Sequence, residues 1–383
     1  MVKYVHMSKE RISEKLHQLL SKSTQHYKHH LIKNSIQFDF KKPTVLFGAA
    51  KLAHEYIEFF KKKGTPIVAL SDNNTALHGK KMDGIRILSK NEIKKTYGHD
   101  VQIVATSLYY LEIIKDIHSM GFKKLFSPLY FSTLYSKDFD VLVWKNDIKL
   151  ILQNKKKIQE AFALLSDNHS RMIFLRILQF RLLLDEKVLK NIQTRGSEYF
   201  DKKLIHLAKD EVFLDGGGYD GDTIKMIIKH TQNRFKDIYS FEPDSANFKK
   251  LAAYVKQLND PRIQVFKLGV GNKKGVLHFT NEGNLQSKII KKGKKMVKVV
   301  PIDAFSDAQF TYIKRDIEGF EKKALLGAKK TIQKGKPKLI VCVYHHAYDL
   351  WELPILIKRL RPDYKVHLRH YSDFILETIC YAT

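Results

Sequence analysis

At 383 residues the chain has room for two or three domains, and its 44% hydrophobic and 11% aromatic content excludes a disordered, tail-like protein. Two cysteines exclude a disulfide scaffold and a cysteine zinc framework. No run approaches ~18 uninterrupted apolar residues and the first twenty residues carry no apolar signal core, so a reducing, cytoplasmic setting is expected. Sixty-eight basic against 40 acidic side chains leave +28, a charge that on its own suggests nucleic acid.

Four regions follow in chain order. Residues 1–40 read as amphipathic helix rich in Lys and His, 41–135 as alternating strands and helices, 136–200 as a helical connector, and 201–383 as a second alternating region. Strands alternating with helices predict parallel sheets covered on both faces, so the fold class is α/β with two Rossmann-like doubly wound domains. In the first, Gly48-Ala49-Ala50-Lys51-Leu52-Ala53 follows a strand and opens a helix, with alanine at the last two glycine positions of G-x-G-x-x-G. Asp72 ends the next strand, 72 − 48 = 24 residues on. A side chain at Ala50 works against close approach of a pyrophosphate. Acceptor or partner binding, a purely structural role and a nucleotide site all stay open. The region 41–131 loosely resembles accessory nucleotide-sugar-type domains found beside glycan-modifying enzymes.

The strongest signal lies in the second α/β region. Val212-Phe213-Leu214-Asp215-Gly216-Gly217-Gly218-Tyr219-Asp220-Gly221-Asp222-Thr223 is an apolar strand ending in an acid, then glycines, then a helix. Ligands bind at the carboxyl ends of strands in such sheets. An acid beside a glycine turn suits a ligand with an amino group and a hydroxylated sugar, and repels a pyrophosphate. Glu242 ends the next strand, 242 − 215 = 27 residues on, where an acid accepts ribose hydroxyls. Without a phosphate-cradling lysine, the pair points to S-adenosyl-L-methionine.

Residues from about 195 to 383 resemble the FkbM-type methyltransferases, within the class I SAM-dependent fold. The resemblance rests on FLDGGGYDGDT, YSFEPD, IKRDIEGFEKKALLGAKKTI and KPKLIVCVYHH. Gly218 departs from it, since alanine is more common there. The resemblance implies that Asp215, Gly216, Gly217 and Gly218 cradle the methionine part of the cofactor, with Asp220 and Thr223 nearby, Glu242 on the ribose and Gly269 beside the adenine. It also implies O-methylation, often of a sugar or a polyketide-type product.

A hydroxyl acceptor calls for a base or a metal. Strand alternation puts Lys314, Asp316 and Glu318 on one face, and the next strand ends at His345-His346, where an imidazole is the natural base. The expected catalytic residues are therefore His345, Asp316 and Glu318, with Lys314, His346 and Ser287 toward the acceptor. No cysteine cluster or Asp-Asn pair marks a metal site, and none is expected. Cys342 and Cys380 read as buried thiols.

Three rivals were weighed against a sugar or glycan O-methyltransferase whose acceptor is nucleotide- or lipid-linked. An RNA methyltransferase lacks support, because Ser127-Pro128-Leu129-Tyr130 has no second proline and no RNA-binding signature occurs. A non-catalytic nucleotide- or SAM-binding protein is opposed by the intact glycine turn and Glu242. An NAD enzyme is opposed by Ala50. The basic residues are dispersed, so nucleic acid is not the expected partner. Peripheral contact with the inner membrane surface accounts for the charge as well.

Overall fold

The structure is a computed structural model, and it describes residues 7–34, 36–107, 109–139, 147–279 and 295–383. The chain divides into two compact units. One comprises Ser21–Leu152 and Arg181–Leu184, the other Met1–Leu20, Gln153–Phe180 and Asp185–Thr383.

Two helices, α1 (Lys9–Ser21) and α2 (Thr24–Asn34), begin the described chain. α1 buries Ile12, Leu16 and Leu20, apolar residues spaced four apart on one face. The smaller unit is built on strands β1 (Thr44–Phe47), β2 (Ile67–Ser71), β3 (Lys81–Met82), β4 (Ile85–Leu88), β5 (Gln102–Ala105) and β6 (Leu125–Phe126), in the order β3-β4-β2-β1-β5-β6. All its pairs are parallel except β3 with β4. Helices α3 (Lys51–Lys62), α4 (Lys90–Tyr97), α5 (Tyr110–Ser119) and α6 (Pro128–Leu134) complete it. At its glycine turn Gly48 has φ +114°, and an added Cβ would lie 2.9 Å from the Thr106 carbonyl oxygen. The next amide, Ala49 N, donates to Asp72 Oδ2 at 2.7 Å, so the acid that ends the second strand holds the turn itself.

Helices α7 (Ile148–Gln153), α8 (Lys155–Leu164), α9 (Asn168–Leu183) and α10 (Lys187–Lys190) occupy the stretch read as a connector. Residues 153–180 of it belong to the larger unit. That unit contains a seven-stranded sheet of β7 (Val212–Gly216), β8 (Asp237–Phe241), β9 (Ile263–Phe266), β13 (Tyr312–Arg315), β14 (Lys338–Cys342), β15 (Val366–His370) and β16 (Thr378–Ala382). Between β9 and β13 the chain forms a small sheet of β10 (Gly269–Gly271), β11 (Gly275–Phe279) and β12 (Lys295–Pro301). Helices α11 (Asp222–Thr231), α12 (Ser245–Leu258), α13 (Glu321–Leu326), α14 (Lys329–Gly335) and α15 (Asp349–Leu360) complete the unit.

The large sheet runs β15-β16-β14-β13-β7-β8-β9, parallel from β9 to β14 and antiparallel at β16. The strand order reverses between β7 and β13, which opens a crevice at their carboxyl ends. β7 and β13 are wholly buried, β7 through its apolar start Val212–Leu214 and β13 although it carries Lys314 and Arg315. Leu165 bridges to Val366 on edge strand β15, and Arg369 of β15 pairs with Asp167 at 3.0 Å, so α8 and the start of α9 cover that edge. Cys342 and Cys380 are both buried free thiols. No helix among the described residues is long and apolar enough to cross a membrane.

Candidate active site

The carboxyl ends of β7, β8 and β13, with the small sheet, enclose a cavity of about 560 Å³, within the ~300–1,000 Å³ usual for small-ligand sites. Its floor is the turn after β7. The amides of Gly217 and Gly218 both donate to the Phe241 carbonyl, at 3.0 and 3.1 Å, folding the turn over the end of β8. Gly217 has φ +88°, a conformation that favours glycine.

Gly218 shows why this chain departs from the usual alanine. A Cβ there would stand 2.2 Å from Ser240 Oγ. The Ser240 hydroxyl donates to Asp215 Oδ2 at 2.7 Å, so the serine fills the space an alanine methyl would take.

Asp215 is fully buried beneath the turn. Its Oδ1 lies 3.1 Å from Lys314 Nζ, which also donates to the Gly217 carbonyl at 2.7 Å. Burial raises the Asp215 carboxyl above its ordinary value, with Lys314 opposing it. Burial also works against the Lys314 charge, but Asp215 and Asp316 outweigh it and hold the ammonium well above its usual range. The pair thus ties β7, the turn and β13 into one support.

Glu242 lines the cavity from the end of β8. Its Oε2 accepts from Tyr219 N at 2.9 Å and its Oε1 from Asp244 N at 2.7 Å. Each oxygen keeps a second lone pair for a ligand hydroxyl. Burial raises this carboxyl too. Gly217 and Gly269 also line the cavity, whereas Asp215, Gly216 and Gly218 lie under its floor. Asp220, before α11, and Thr223 do not line it, whereas Asp222, the first residue of α11, does. Val270, Leu277, Val297 and Val299 of the small sheet, with Phe241, make an apolar wall.

At the other end, β13 stops at Arg315, short of the strand read from the sequence. Lys314 and Asp316 still face the cavity, and Glu318 reaches it through a left-handed residue, φ +56°. Tyr199 OH donates to Asp316 Oδ2 at 2.9 Å and Tyr344 OH to Asp316 Oδ1 at 3.3 Å. Burial opposes ionisation of Asp316, but the His345 and Lys314 charges prevail and hold its carboxyl below its ordinary value. Burial pushes Glu318 up to about 7.

His345 stands behind these carboxylates, 2% exposed and outside the cavity lining. Its Nε2 is 3.4 Å from both Asp316 Oδ1 and Glu318 Oε2, and its Nδ1 is 3.0 Å from Glu321 Oε1. Burial works against its charge, but Glu321, Glu318 and Asp316 raise it to about 10. A ring so placed orients the carboxylates and does not itself face an acceptor. His346 points elsewhere: its amide and Nδ1 meet Asp349 Oδ2, and its ring stacks on Tyr348. Ser287 lies outside the described residues.

Sequence reasoning missed Glu321, Tyr344, Ser240 and Asp222 as site residues. Tyr199 both packs in the core cluster and lines the cavity. Asp316, Glu321 and His345 together offer ligand atoms within 4.8 Å of one another, a grouping of the type that can hold a metal. No linear motif signals it, because the three come from a strand end, a helix start and a second strand end.

Among the described residues the cavity lining is acidic although the chain is basic: Asp222, Glu242, Asp244, Asp316 and Glu318 line it, with Lys314 as the cation among them. These carboxylates of the described lining favour a cationic or polyhydroxylated ligand and disfavour a phosphate beside them.

The sequence profile described as the Methyltransferase FkbM domain matches residues 215–377, and one described as C2185-like, N-terminal matches 40–125. No curated protein matches the sequence. Among solved structures, the methyltransferase FkbM from Methylobacillus flagellatus KT superimposes with a TM-score of 0.74 at 20% identity, covering 98% of this chain and 100% of that one, which establishes a shared fold. An rRNA methylase from Streptococcus thermophilus (TM-score 0.29, 11% identity, 46% of this chain and 87% of that one) is far more distant. So is a putative rRNA-methylase from Clostridium thermocellum (0.34, 9%, 49% and 96%).

Proposed function

Since residues 215–377 belong to the FkbM methyltransferase family, we propose that the chain transfers a methyl group from S-adenosyl-L-methionine to a hydroxyl of a sugar or glycan intermediate. The observation that carries this reading is the acidic cavity set over the glycine turn in a chain of charge +28. When bound, the cofactor supplies an electrophilic methyl on a sulfonium, whose positive charge the surrounding carboxylates favour.

The residues divide the work. Glu242 takes the ribose hydroxyls with its free lone pairs, and the valine wall with Phe241 suits a purine. Gly217, held by Lys314, lets backbone approach the amino-acid end. Asp316, fixed by two tyrosine hydroxyls, and Glu318 face the acceptor. Glu318, pushed up to about 7, can accept the proton the hydroxyl gives up. The neutral, hydroxyl-rich surface of a sugar suits this acidic wall better than an anionic group would. The basic exterior suits work at an anionic surface, such as a lipid-linked acceptor on the inner membrane face.

Incubation of the purified protein with methyl-tritiated cofactor and a cell extract is expected to label the carbohydrate fraction. Label confined to RNA would replace this acceptor class with the nucleic-acid one.

A further inference from the structure

We propose that Tyr219 is a binding residue whose ring closes over the cofactor held by Glu242 and becomes buried when the cavity is filled. The identity of that cofactor rests on the methyltransferase reading.

Three observations converge. First, the ring stands open at the cavity. Tyr219 lines it and is 50% exposed, whereas Tyr199 and Phe241, also in the lining, are buried. A tyrosine contributes to binding by burying up to ~150–250 Å², and this one leaves half of its surface in solvent.

Second, the backbone here suits another residue better. Gly221 N donates to the Gly218 carbonyl at 2.8 Å, closing a turn over 218–221. The φ angle is +44° at Tyr219 and is not positive at Asp220. That is the pattern of a type II′ turn, which favours glycine at its first central position. A bulky side chain at positive φ is uncommon, and such strain concentrates at ligand clamps. Packing does not account for it, because Tyr219 is absent from the core cluster. The ends of the turn are tightly seated. An added Cβ would stand 2.2 Å from Ser240 Oγ at Gly218, and 2.5 Å from a Tyr254 ring carbon at Gly221. The ring therefore moves by rotation about its own side-chain bonds on a fixed backbone.

Third, the neighbours of Tyr219 place the ring beside the ligand. Its amide donates to Glu242 Oε2 at 2.9 Å, so the ring is anchored next to the carboxylate read as the ribose ligand. Lys250 Nζ, from α12, lies 6.0 Å from the ring centroid. That is the outer limit of a cation–π contact, and a contact so weak is readily exchanged for a ligand. Closure excludes water from Glu242, and hydrogen bonds to its carboxylate strengthen as the local dielectric falls.

The test is limited nitration of the full chain by tetranitromethane, with and without saturating S-adenosylhomocysteine, read by peptide mass spectrometry. Calorimetry on the same preparations measures the affinity. Tyr109, 73% exposed and in the smaller unit, is the internal control. S-adenosylhomocysteine is expected to suppress nitration of Tyr219 and to leave that of Tyr109 unchanged. Tyr219→Asn is expected to lower the affinity about tenfold or more, by the surface the ring covers. Its urea midpoint should equal or exceed that of wild type, because asparagine accepts positive φ. Tyr219→Phe, which keeps the ring, should rescue the affinity. Wild-type protein that binds S-adenosylhomocysteine yet nitrates equally at Tyr219 overturns the closure and leaves the cofactor reading standing. So does a Tyr219→Asn chain that binds as tightly as wild type. Wild-type protein that does not bind S-adenosylhomocysteine contradicts the cofactor reading, and the role of Tyr219 falls with it.

Discussion

Gly217→Ala is expected to destabilise the larger unit by about 2–5 kcal/mol and to lower S-adenosylhomocysteine affinity at least tenfold. The substituted Cβ would stand 2.0 Å from the Asp316 carbonyl oxygen, on backbone at φ +88°. Neither partner can yield cheaply. The Gly217 amide is bonded to Phe241, its carbonyl to Lys314, and the Asp316 amide to the Gly216 carbonyl. The methyl must therefore push β7 and β13 apart at the crevice. Gly275→Ala is the matched control, because nothing lies within 4 Å of a Cβ there. Urea midpoints check the pair: a large fall for Gly217→Ala and almost none for Gly275→Ala. Equal midpoints would mean that the turn is not wedged as described.

Lys314→Met should cost about 3–5 kcal/mol, because it leaves Asp215 charged and unpaired in a site with no solvent exposure. The loss depends on pH with a definite sign. Burial already raises the Asp215 carboxyl above its ordinary 3.8, and Lys314 is the largest influence holding it down. Without that ammonium the folded state binds a proton that the unfolded state has released. Stability of the variant, relative to wild type, then increases as pH falls from neutrality toward the unfolded carboxyl value. The wild-type contribution of Lys314 runs the other way: its raised value gives stability that is complete below the unfolded lysine's 10.5 and is lost only above it. Denaturation at pH 8 and pH 5 checks this, with a larger deficit expected at pH 8. A deficit independent of pH would show that Asp215 does not titrate. Adding Asp215→Asn should recover part of the loss.

Much of this site could be read from contiguous residues. The strand, acid, glycine turn and helix at 212–223 report their own geometry, and Glu242 follows at the spacing of a second parallel strand. What escaped reading comes from residues distant in sequence. Tyr199 meets Asp316 across 117 positions, and Ser240 meets Asp215 across 25. Alternation placed Lys314, Asp316 and Glu318 together correctly, but for Glu318 the means is a left-handed turn and not a longer strand. His345 was read as facing the acceptor because it ends a central strand. The three carboxylates that converge on it come from the β13 end and α13, so only the fold reveals that it stands behind the wall. Asp220 lies in the turn before α11 and Thr223 faces the core, so Asp222, the first residue of α11, is the one that lines the cavity.

The central claim is that the cavity over Gly217 and Glu242 is a S-adenosylmethionine site. Calorimetric titration of the full chain with S-adenosylhomocysteine tests it most directly. One molecule should bind per chain, and Glu242→Ala should weaken binding by about 10- to 100-fold, the equivalent of one or two lost charge-assisted hydrogen bonds. A folded wild-type chain that gives no binding heat at any temperature tried, or a Glu242→Ala chain that binds as tightly as wild type, would contradict the account.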